Sequence, residues 1–403
     1  LSPAQTLAGP NYAIGAGLGK QVGGNLFHSF GVFGLSSGES ATFSGPPTVT
    51  NVIGRVTGGS QSSINGAINS TIAGANVYLI NPAGFVFGPN ATVNVSGAFH
   101  AASADYLKLS DGARFQATNP DASTLSAAPP AAFGFLGATP GAITVNGAQL
   151  GVGQGQALDV AGGTIAVAGG TLQAPGGTVR ILGVAGAGEA PVDPRNTAAQ
   201  TVTQRAPVSL TQNATVSVSN PNQAGGSGSV FVGAGALTID NSQISALNFG
   251  PGTGGPVSVT ADSLSVTNGG GISSLAFGTG NAGPITIAST GALTLDNGKI
   301  SDNTFTTANA GTLSVAAGSG TIISGGEIAS LTFGAGRAGN VSVAVGGALT
   351  VDGTGGTLNS PSGIFSQTLS STGNAAQVAV AAQDLTVTNG GAISTSSFDA
   401  GAA

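Results

Sequence analysis

Residues 257–284, VSVTADSLSVTNGGGISSLAFGTGNAGP, and residues 285–312, ITIASTGALTLDNGKISDNTFTTANAGT, are successive copies of one 28-residue pattern. Each copy contains three short β-prone segments separated by turns rich in Gly or Asn. One unit of this size cannot bury its own apolar face, so it must stack on its neighbours. The pattern recurs at spacings of 27, 28, 28, 28 and 37 residues, aligned on Val230, Val257, Ile285, Leu313, Val341 and Val378.

This period favours an all-β fold, a right-handed parallel β-helix built as a three-sided solenoid of about 28 residues per repeat. Stacked coils place equivalent residues about 4.8 Å apart, so repeated side chains form ladders. A β-propeller blade needs about 40 residues, and the asparagine-leucine signature of leucine-rich repeats is missing. Two repeated columns are predicted to form core ladders: Ile244, Ile272, Ile300 and Ile328, and Phe249, Phe277, Phe305 and Phe333.

The composition of the 403-residue chain supports an elongated repeat protein. Hydrophobic residues make up 40% and charged residues only 6%, so the 70 glycines do not indicate disorder. Nine basic residues against 15 acidic ones give a net charge of −6, without the basic stripe that a nucleic-acid partner requires. No apolar run reaches the length of a membrane-spanning helix. Without any cysteine, stability must come from packing and from the hydrogen-bond ladder.

The chain is predicted to be one continuous solenoid in two parts. Residues 1–225 form the first part, with an aromatic amino-terminal cap, and residues 226–403 form a repeat shaft. Segments rich in proline near residues 118–130 and 186–207 are predicted to leave the solenoid as extrahelical loops. The start at Leu1, with neither Met nor a signal peptide, is consistent with a mature or trimmed chain. The aromatic cluster of the cap is Phe27, Phe30, Phe33 and Phe43.

The stretch from Asn81 to Asn90, NPAGFVFGPN, follows a strand-like segment and is predicted to be a tight turn between two strands. Asn81-Pro82 starts a turn, and Gly84 can adopt a positive φ. Phe85 and Phe87 then share one face of the next strand.

No catalytic, cofactor or metal site is predicted. Asp240, Asp296 and Asp352 recur at the end of the second strand of their repeats, where turns that bond their own backbone explain them. His28 has no metal-ligating or carboxylate residue near it in sequence, so the cap is its predicted place. The calcium-binding nonapeptide and the phosphate-binding loop are both incomplete.

Residues 25–190 resemble the amino-terminal secretion domain of filamentous haemagglutinin-type exoproteins of two-partner secretion systems. Several blocks occur in the order of that family, among them NLFHSFGVF at Asn25, NVIGRVTGG at Asn51, NVYLINPAGFVFGPNA at Asn76 and LQAPGGTVRIL at Leu172. The resemblance implies export through a dedicated outer-membrane β-barrel transporter of a Gram-negative bacterium. It also implies a β-helical domain that templates the folding of the repeats behind it.

The resemblance identifies a secretion motif, although the second asparagine of the family motif is Ala83 here. Its residues are expected either to contact the transporter or to shape the turn. The candidate motif residues are Asn81, Pro82, Gly84, Phe85, Phe87 and Gly88.

The implied function is that of a secreted surface adhesin. It is expected to be a monomeric rod that contacts a host or neighbouring cell surface, with carbohydrate as a candidate ligand. One alternative is the stalk of a contact-dependent toxin or a cytolysin. A second is a polysaccharide-active β-helix enzyme, which the scarcity of basic residues disfavours.

Overall fold

The structure, a computed structural model, describes residues 5–222, 225–357, 361–369 and 372–398. These residues are nearly all in short strands and turns. The only helical pieces among them are three 3-10 turns, Ala16–Leu18, Pro120–Ala122 and Thr197–Ala199. None of the described helices has the length and apolarity needed to cross a membrane.

The strands of the first half are β1 Asn11–Gly15, β2 Lys20–Val22, β3 Asn25–Phe30, β4 Ser40–Ser44, β5 Asn51–Val56, β6 Ser62–Ile64, β7 Ala67–Ser70, β8 Asn76–Ile80, β9 Phe85–Phe87, β10 Thr92–Asn94, β11 Phe99–Ala102, β12 Tyr106–Leu109, β13 Arg114–Gln116, β14 Pro130–Phe135, β15 Ile143–Asn146, β16 Gln149–Gly151, β17 Ala157–Gly162, β18 Ile165–Ala168, β19 Thr171–Gln173, β20 Thr178–Gly183 and β21 Gly188–Pro191.

Those of the second half are β22 Val208–Thr211, β23 Thr215–Ser217, β24 Ser229–Asp240, β25 Gln243–Asn248, β26 Val257–Thr267, β27 Gly271–Ala276, β28 Ile285–Ser289, β29 Ala292–Asp296, β30 Lys299–Thr304, β31 Leu313–Ala317, β32 Ser319–Ile323, β33 Glu327–Thr332, β34 Val341–Asp352, β35 Gly363–Thr368, β36 Val378–Thr388 and β37 Ala392–Ser397.

The chain divides into two compact units. Unit 1 comprises Leu1–Gln173 and Arg180–Val208, and unit 2 comprises Ala174–Val179 and Ser209–Ala403. The boundary predicted at residue 225 differs from this division, because residue 225 lies within the Ser209–Ala403 segment of unit 2.

Unit 1 is built of coils with three strands each. Its parallel strand columns are β3-β5-β8-β11-β17, β6-β9-β15-β18 and β1-β4-β7-β10-β16-β19. Asn25, Asn51 and Asn76 are register partners and mark two successive coils of nearly equal length. The next coil is shorter, because Val77 already pairs with Phe99. Coil length therefore varies in unit 1, which explains why no sequence period is visible there.

An antiparallel sheet lies outside the coils of unit 1. Its strand order is β13-β12-β14-β21, and we call it the extrahelical sheet. Strand β14 begins at Pro130 and β21 spans Gly188–Pro191, so both predicted loop segments contribute residues to it. Between this sheet and the β3-β5-β8-β11-β17 column lies a second hydrophobic core, which includes Phe27, Ile53, Tyr78, Ile80, Leu107, Leu109, Phe115, Phe133 and Phe135.

Unit 2 has a three-sided plan of its own, with a regular period. Strands β23-β25-β27-β30-β33-β35-β37 form one parallel column. The other two sides are formed by long strands such as β24 and β26, or by pairs such as β28 and β29. The aligned positions pair from Val230 to Val257, Ile285, Leu313, Val341 and Val378. The prediction of a parallel β-helix, with one sequence repeat in each coil, is confirmed.

Candidate functional site

The predicted turn begins at Asn81, between β8 and β9. Asn81 is 1% exposed, and its Nδ2 donates to the Ser60 carbonyl oxygen (3.0 Å) and to Ser62 Oγ (2.9 Å). Its Oδ1 accepts from the Ala83 backbone N–H at 3.0 Å, while its carbonyl oxygen accepts from the Gly84 N–H at 2.8 Å. One buried side chain therefore closes the turn and ties it to the coil before it.

The absence of the second asparagine does not disturb this turn. Position 83 contributes its backbone N–H, which any residue except proline supplies. The Ala83 side chain is half-buried. The shape of the turn is thus independent of the side chain at the position where the sequence departs from the family motif.

Gly84 is required by both conformation and space. Its φ is +93°, and a Cβ atom there would lie 2.1 Å from the Ala142 carbonyl oxygen. The Ala142 carbonyl belongs to the next coil, and its oxygen accepts from the Phe85 N–H at 3.0 Å. This hydrogen bond holds the oxygen in place. A side chain at position 84 would push two adjacent coils apart.

The remaining motif residues pack inside the same corner. Phe85 and Phe87 are fully buried, with stacked rings 5.8 Å apart. Gly88 is half-buried, and a Cβ there would lie 2.6 Å from Asn65 Oδ1, which also accepts from the Asn90 N–H at 3.0 Å. The structure therefore brings all six candidate residues together, and most of them face inward.

A buried ionic cluster, which sequence reasoning missed, lies on strands β11 and β17 and on the adjacent strand β20. Asp159 accepts from Arg180 Nε at 2.6 Å and from Arg180 Nη2, and its Oδ2 lies 3.2 Å from His100 Nδ1. Burial alone would raise the pKa of Asp159, but Arg180 and His100 hold that pKa below its ordinary value. The Tyr78 ring stacks on His100 at 4.3 Å.

The cluster joins the coil to the extrahelical sheet. Arg180 Nη1 donates to the carbonyl oxygen of Pro191, the last residue of β21. All three charged or titratable side chains are at most 5% exposed. Charged residues are rare in this chain, so each of these side chains was a candidate for a specific role. Only the register of neighbouring strands shows that the three side chains meet.

A family model of the TPS (two-partner secretion) secretion domain matches residues 3–230, more than half of the chain. The chain belongs to the TPS secretion domain family. Proteins with this domain are exoproteins secreted by Gram-negative bacteria with a partner outer-membrane transporter. The turn formed by Asn81 and the other five motif residues, which we call the motif corner, lies within the matched residues. The ionic cluster also lies within them.

One solved structure, the HMW1 secretion domain from Haemophilus influenzae, is similar to this chain at 14% sequence identity and a TM-score of 0.48. The match covers 94% of each chain. No curated protein matches this chain.

Two of the repeated aspartates of this TPS chain, Asp352 and Asp240, accept hydrogen bonds at the ends of their strands. Asp352 Oδ1 accepts from the Thr354 N–H at 2.8 Å, as predicted for a turn that bonds its own backbone. Asp240 Oδ1 instead accepts from Thr267 Oγ1 (2.8 Å) and Asn268 Nδ2 in the next coil. Within the described ranges, no group of three or more His, Asp or Glu side chains could hold a metal ion.

The two predicted ladders differ in placement. Ile244, Ile272, Ile300 and Ile328 are fully buried, as predicted. The phenylalanine rings stack with centroids 5.3, 4.6 and 4.8 Å apart, but Phe277, Phe305 and Phe333 are 39–40% exposed.

Placing the phenylalanine column in the core was therefore wrong. Each Phe follows its Ile by five positions, as Phe277 follows Ile272. Each Phe is the first residue after its strand, and the alternation of the strand, carried over this odd spacing, puts the Phe and Ile side chains on opposite faces. We call the column Phe249, Phe277, Phe305 and Phe333 the phenylalanine ladder.

Proposed function

We propose that this chain is the amino-terminal part of a secreted surface adhesin of the filamentous haemagglutinin type. The observation that supports this is the succession of a secretion-domain match over residues 3–230 and regular coils that continue to Ser397. We assign export to residues 1–225 and adhesion to the shaft, residues 226–403. The surface of such a shaft, rich in Ser, Thr and Asn, presents repeated uncharged hydrogen-bonding groups, which suit carbohydrate on a host or neighbouring cell.

Within this function, we assign the secretion motif to the shape of the turn. Asn81 is 1% exposed and its amide is fully engaged, so the folded domain does not present it to a transporter. Pro82 and Ala83 are half-buried, and Pro89 and Asn90 are exposed. Asn81 acts by holding this outer part of the corner in place, and a partner contacts the exposed part.

Export through a co-expressed cognate transporter tests both assignments. Deleting residues 25–120 should abolish release into the medium. Asn81→Ala should strongly reduce release, because it leaves the buried Ser62 hydroxyl without the Asn81 amide and removes the Asn81 bonds to the Ser60 carbonyl and the Ala83 N–H, at a cost of about 1–3 kcal/mol. The matched control is Asn94→Ala, since Asn94 is exposed and its Nδ2 bonds only Asn69 Oδ1 at 2.8 Å.

A second measurement distinguishes shape from direct contact. The Asn81→Ala protein should refold in vitro with a lower free energy of unfolding, and Ala83→Asn should change neither stability nor release. Should Asn81→Ala abolish release while the refolded protein is as stable as the parent, Asn81 itself is read by the transporter and the assignment to turn shape fails.

Adhesion is tested with the full secreted chain. Retention on intact cells and on a panel of neutral and acidic polysaccharides is measured together with polysaccharide cleavage. Retention without cleavage supports the adhesin. Cleavage would instead indicate the polysaccharide-active enzyme, and killing of contacted cells without retention on polysaccharide would indicate the toxin stalk.

A further inference from the structure

The phenylalanine ladder places three exposed rings in one row on the outer face of unit 2. The rings of Phe277, Phe305 and Phe333 are nearly parallel, with angles of 3° and 2° between successive planes. The backbone N–H of each donates to a carbonyl oxygen of the coil before it, at 2.8, 3.0 and 2.8 Å. The hydrogen bonds that join the coils therefore fix the spacing of the rings.

A column of leucines widens this row on one side. Residues two positions apart along a strand share a face, and the residue two positions before a ladder phenylalanine is a half-buried leucine in three of the four coils. On the other side, the residue after each phenylalanine is glycine or threonine, which leaves the ring edges uncovered. The leucines are Leu247, Leu275 and Leu331, and the small residues are Gly250, Gly278, Thr306 and Gly334.

The ladder exposes the edges of its rings and not their faces. Phe305 has the Phe277 ring on one side at 4.6 Å and the Phe333 ring on the other at 4.8 Å, so both of its faces are covered. Stacking on the face of Phe305, as a sugar ring would require, is therefore excluded. The edge of an aromatic ring carries the positive part of its quadrupole and prefers to contact the face of another aromatic system.

The size of the strip favours a small ligand over a second copy of the chain. A phenylalanine side chain carries roughly 200 Å² of surface, so 39–40% exposure leaves about 80 Å² of each ring uncovered. Three rings and the half-buried leucines together expose roughly 300 Å². A stable dimer buries about 800 Å² on each partner, which this strip does not supply.

We propose that the phenylalanine ladder binds a flat, elongated aromatic molecule, which lies along the ladder with one face against the ring edges. Each exposed ring then makes an edge-to-face contact with the ligand, and the leucine column packs against its long side. A flexible alkyl chain would cover the same strip without these contacts and would lose rotamer freedom on binding. This site is independent of the proposed adhesion to carbohydrate, which uses the uncharged hydrogen-bonding groups of the shaft.

Fluorescence titration of the full chain with thioflavin T tests the ligand class. This flat, rod-shaped dye brightens when its two ring systems are held in one plane, and it should bind saturably with one site per chain. Decyltrimethylammonium, a flexible chain of the same charge, should displace the dye at least about tenfold less effectively when it is kept below its micelle-forming concentration. Equal displacement would show a purely apolar strip and overturn the preference for flat ligands. The absence of saturable dye binding would overturn the site.

Leucine substitutions locate the bound dye. Phe305→Leu removes the middle ring of the exposed three and should weaken thioflavin T binding about threefold to tenfold. The matched control is Phe398→Leu, because Phe398 is 65% exposed and makes no ring contact in the described part of the chain. Its affinity for the dye should equal that of the parent. Circular dichroism before each titration checks that both variants keep the fold. Equal losses at the two positions, or no loss at Phe305, place the dye elsewhere and refute the site.

A variant that lengthens the ladder provides a gain-of-binding test. Leu369 continues the column in the coil after Phe333, and its N–H donates to the Thr332 carbonyl oxygen at 2.9 Å just as the Phe333 N–H donates to that of Thr304. Leu369→Phe adds a ring to the row and should tighten thioflavin T binding about twofold or more. Unchanged or weaker binding would contradict the ladder as the site.

Sedimentation at the titration concentrations tests the competing occupant. The parent chain should sediment as a monomer with and without thioflavin T. Self-association that Phe305→Leu abolishes would make the ladder an interface between copies and overturn the small-ligand assignment.

Discussion

Replacing Asp302 with serine should stabilise the shaft, with a benefit that depends on pH. Asp302 is fully buried in unit 2, where its Oδ1 accepts from the Gly311 N–H at 2.8 Å. Its Oδ2 has no hydrogen-bond partner among the described residues. Burial, opposed only by the Gly311 hydrogen bond, raises the pKa of Asp302 well above its ordinary value.

Serine occupies the equivalent position in both neighbouring coils, as Ser274, whose Oγ has no hydrogen-bond partner among the described residues, and as Ser330, whose Oγ is bonded. Ser330 lies in the register position after Asp302, and its Oγ accepts from the Gly339 N–H at 2.6 Å, nine residues further along the chain. Gly311 follows Asp302 by the same interval. A serine at 302 can accept the Gly311 N–H in the same way and removes the unpartnered oxygen. Its expected benefit at neutral pH is about 1–3 kcal/mol, the cost of one unsatisfied buried polar group.

The pH dependence has a defined sign. The unfolded chain releases the Asp302 proton near the ordinary pKa of 3.8, whereas the folded chain keeps it to higher pH. The parent therefore loses stability relative to Asp302→Ser as pH rises from that value to the raised folded pKa. The limiting slope is about 1.4 kcal/mol per pH unit for one proton.

Urea unfolding of parent and variant across a pH series, with all other carboxyl groups common to both, measures this difference directly. It should grow with pH and then level off at the folded pKa of Asp302. Asp296→Ser is the control, because Asp296 lies in the same coil but is only half-buried. A variant less stable than the parent at neutral pH, with a difference independent of pH, would refute the reasoning.

Three further predictions test the packing within each unit through the free energy of unfolding. Gly84→Ala should destabilise unit 1 by about 3 kcal/mol or more, because a positive φ and a backbone oxygen 2.1 Å from the added carbon both oppose it. Arg180→Met should cost about 3–5 kcal/mol by leaving Asp159 buried without its cation, and adding Asp159→Leu should recover most of that loss. Phe305→Ser removes two ring contacts, at 4.6 and 4.8 Å, and should cost about 2 kcal/mol. Phe249→Ser, which removes one, should cost about half as much, and equal losses at both positions would contradict stacking as the cause.

The sequence alone determined the solenoid of unit 2. The constant repeat spacing superimposes Ile272 on Ile300 in neighbouring coils, and a repeat that cannot bury its own face has to stack. The turn of the motif corner was also predictable from the sequence, because Asn81-Pro82 and Gly84 have strong local turn preferences. The outward face of the phenylalanine ladder follows from the odd spacing between Phe277 and Ile272, so that error lay in the reading of the pattern.

Only the tertiary structure decided the extrahelical sheet and the ionic cluster. The segments that form the sheet are short, and their strands pair with partners many residues away, as Phe133 of β14 pairs with Ala190 of β21. His100 and Asp159 are far apart in sequence because a long excursion separates β11 from β17. They become neighbours only when these two strands pair.

The physical reason is the range of the interactions. A repeat carries its pairing rule in every copy, so a constant spacing fixes register before any distant contact forms. The second core of unit 1 has no repeat, and its apolar residues find partners through long-range burial alone. Local preference therefore specifies the coils and the turn at Asn81, while distant packing decides what covers them.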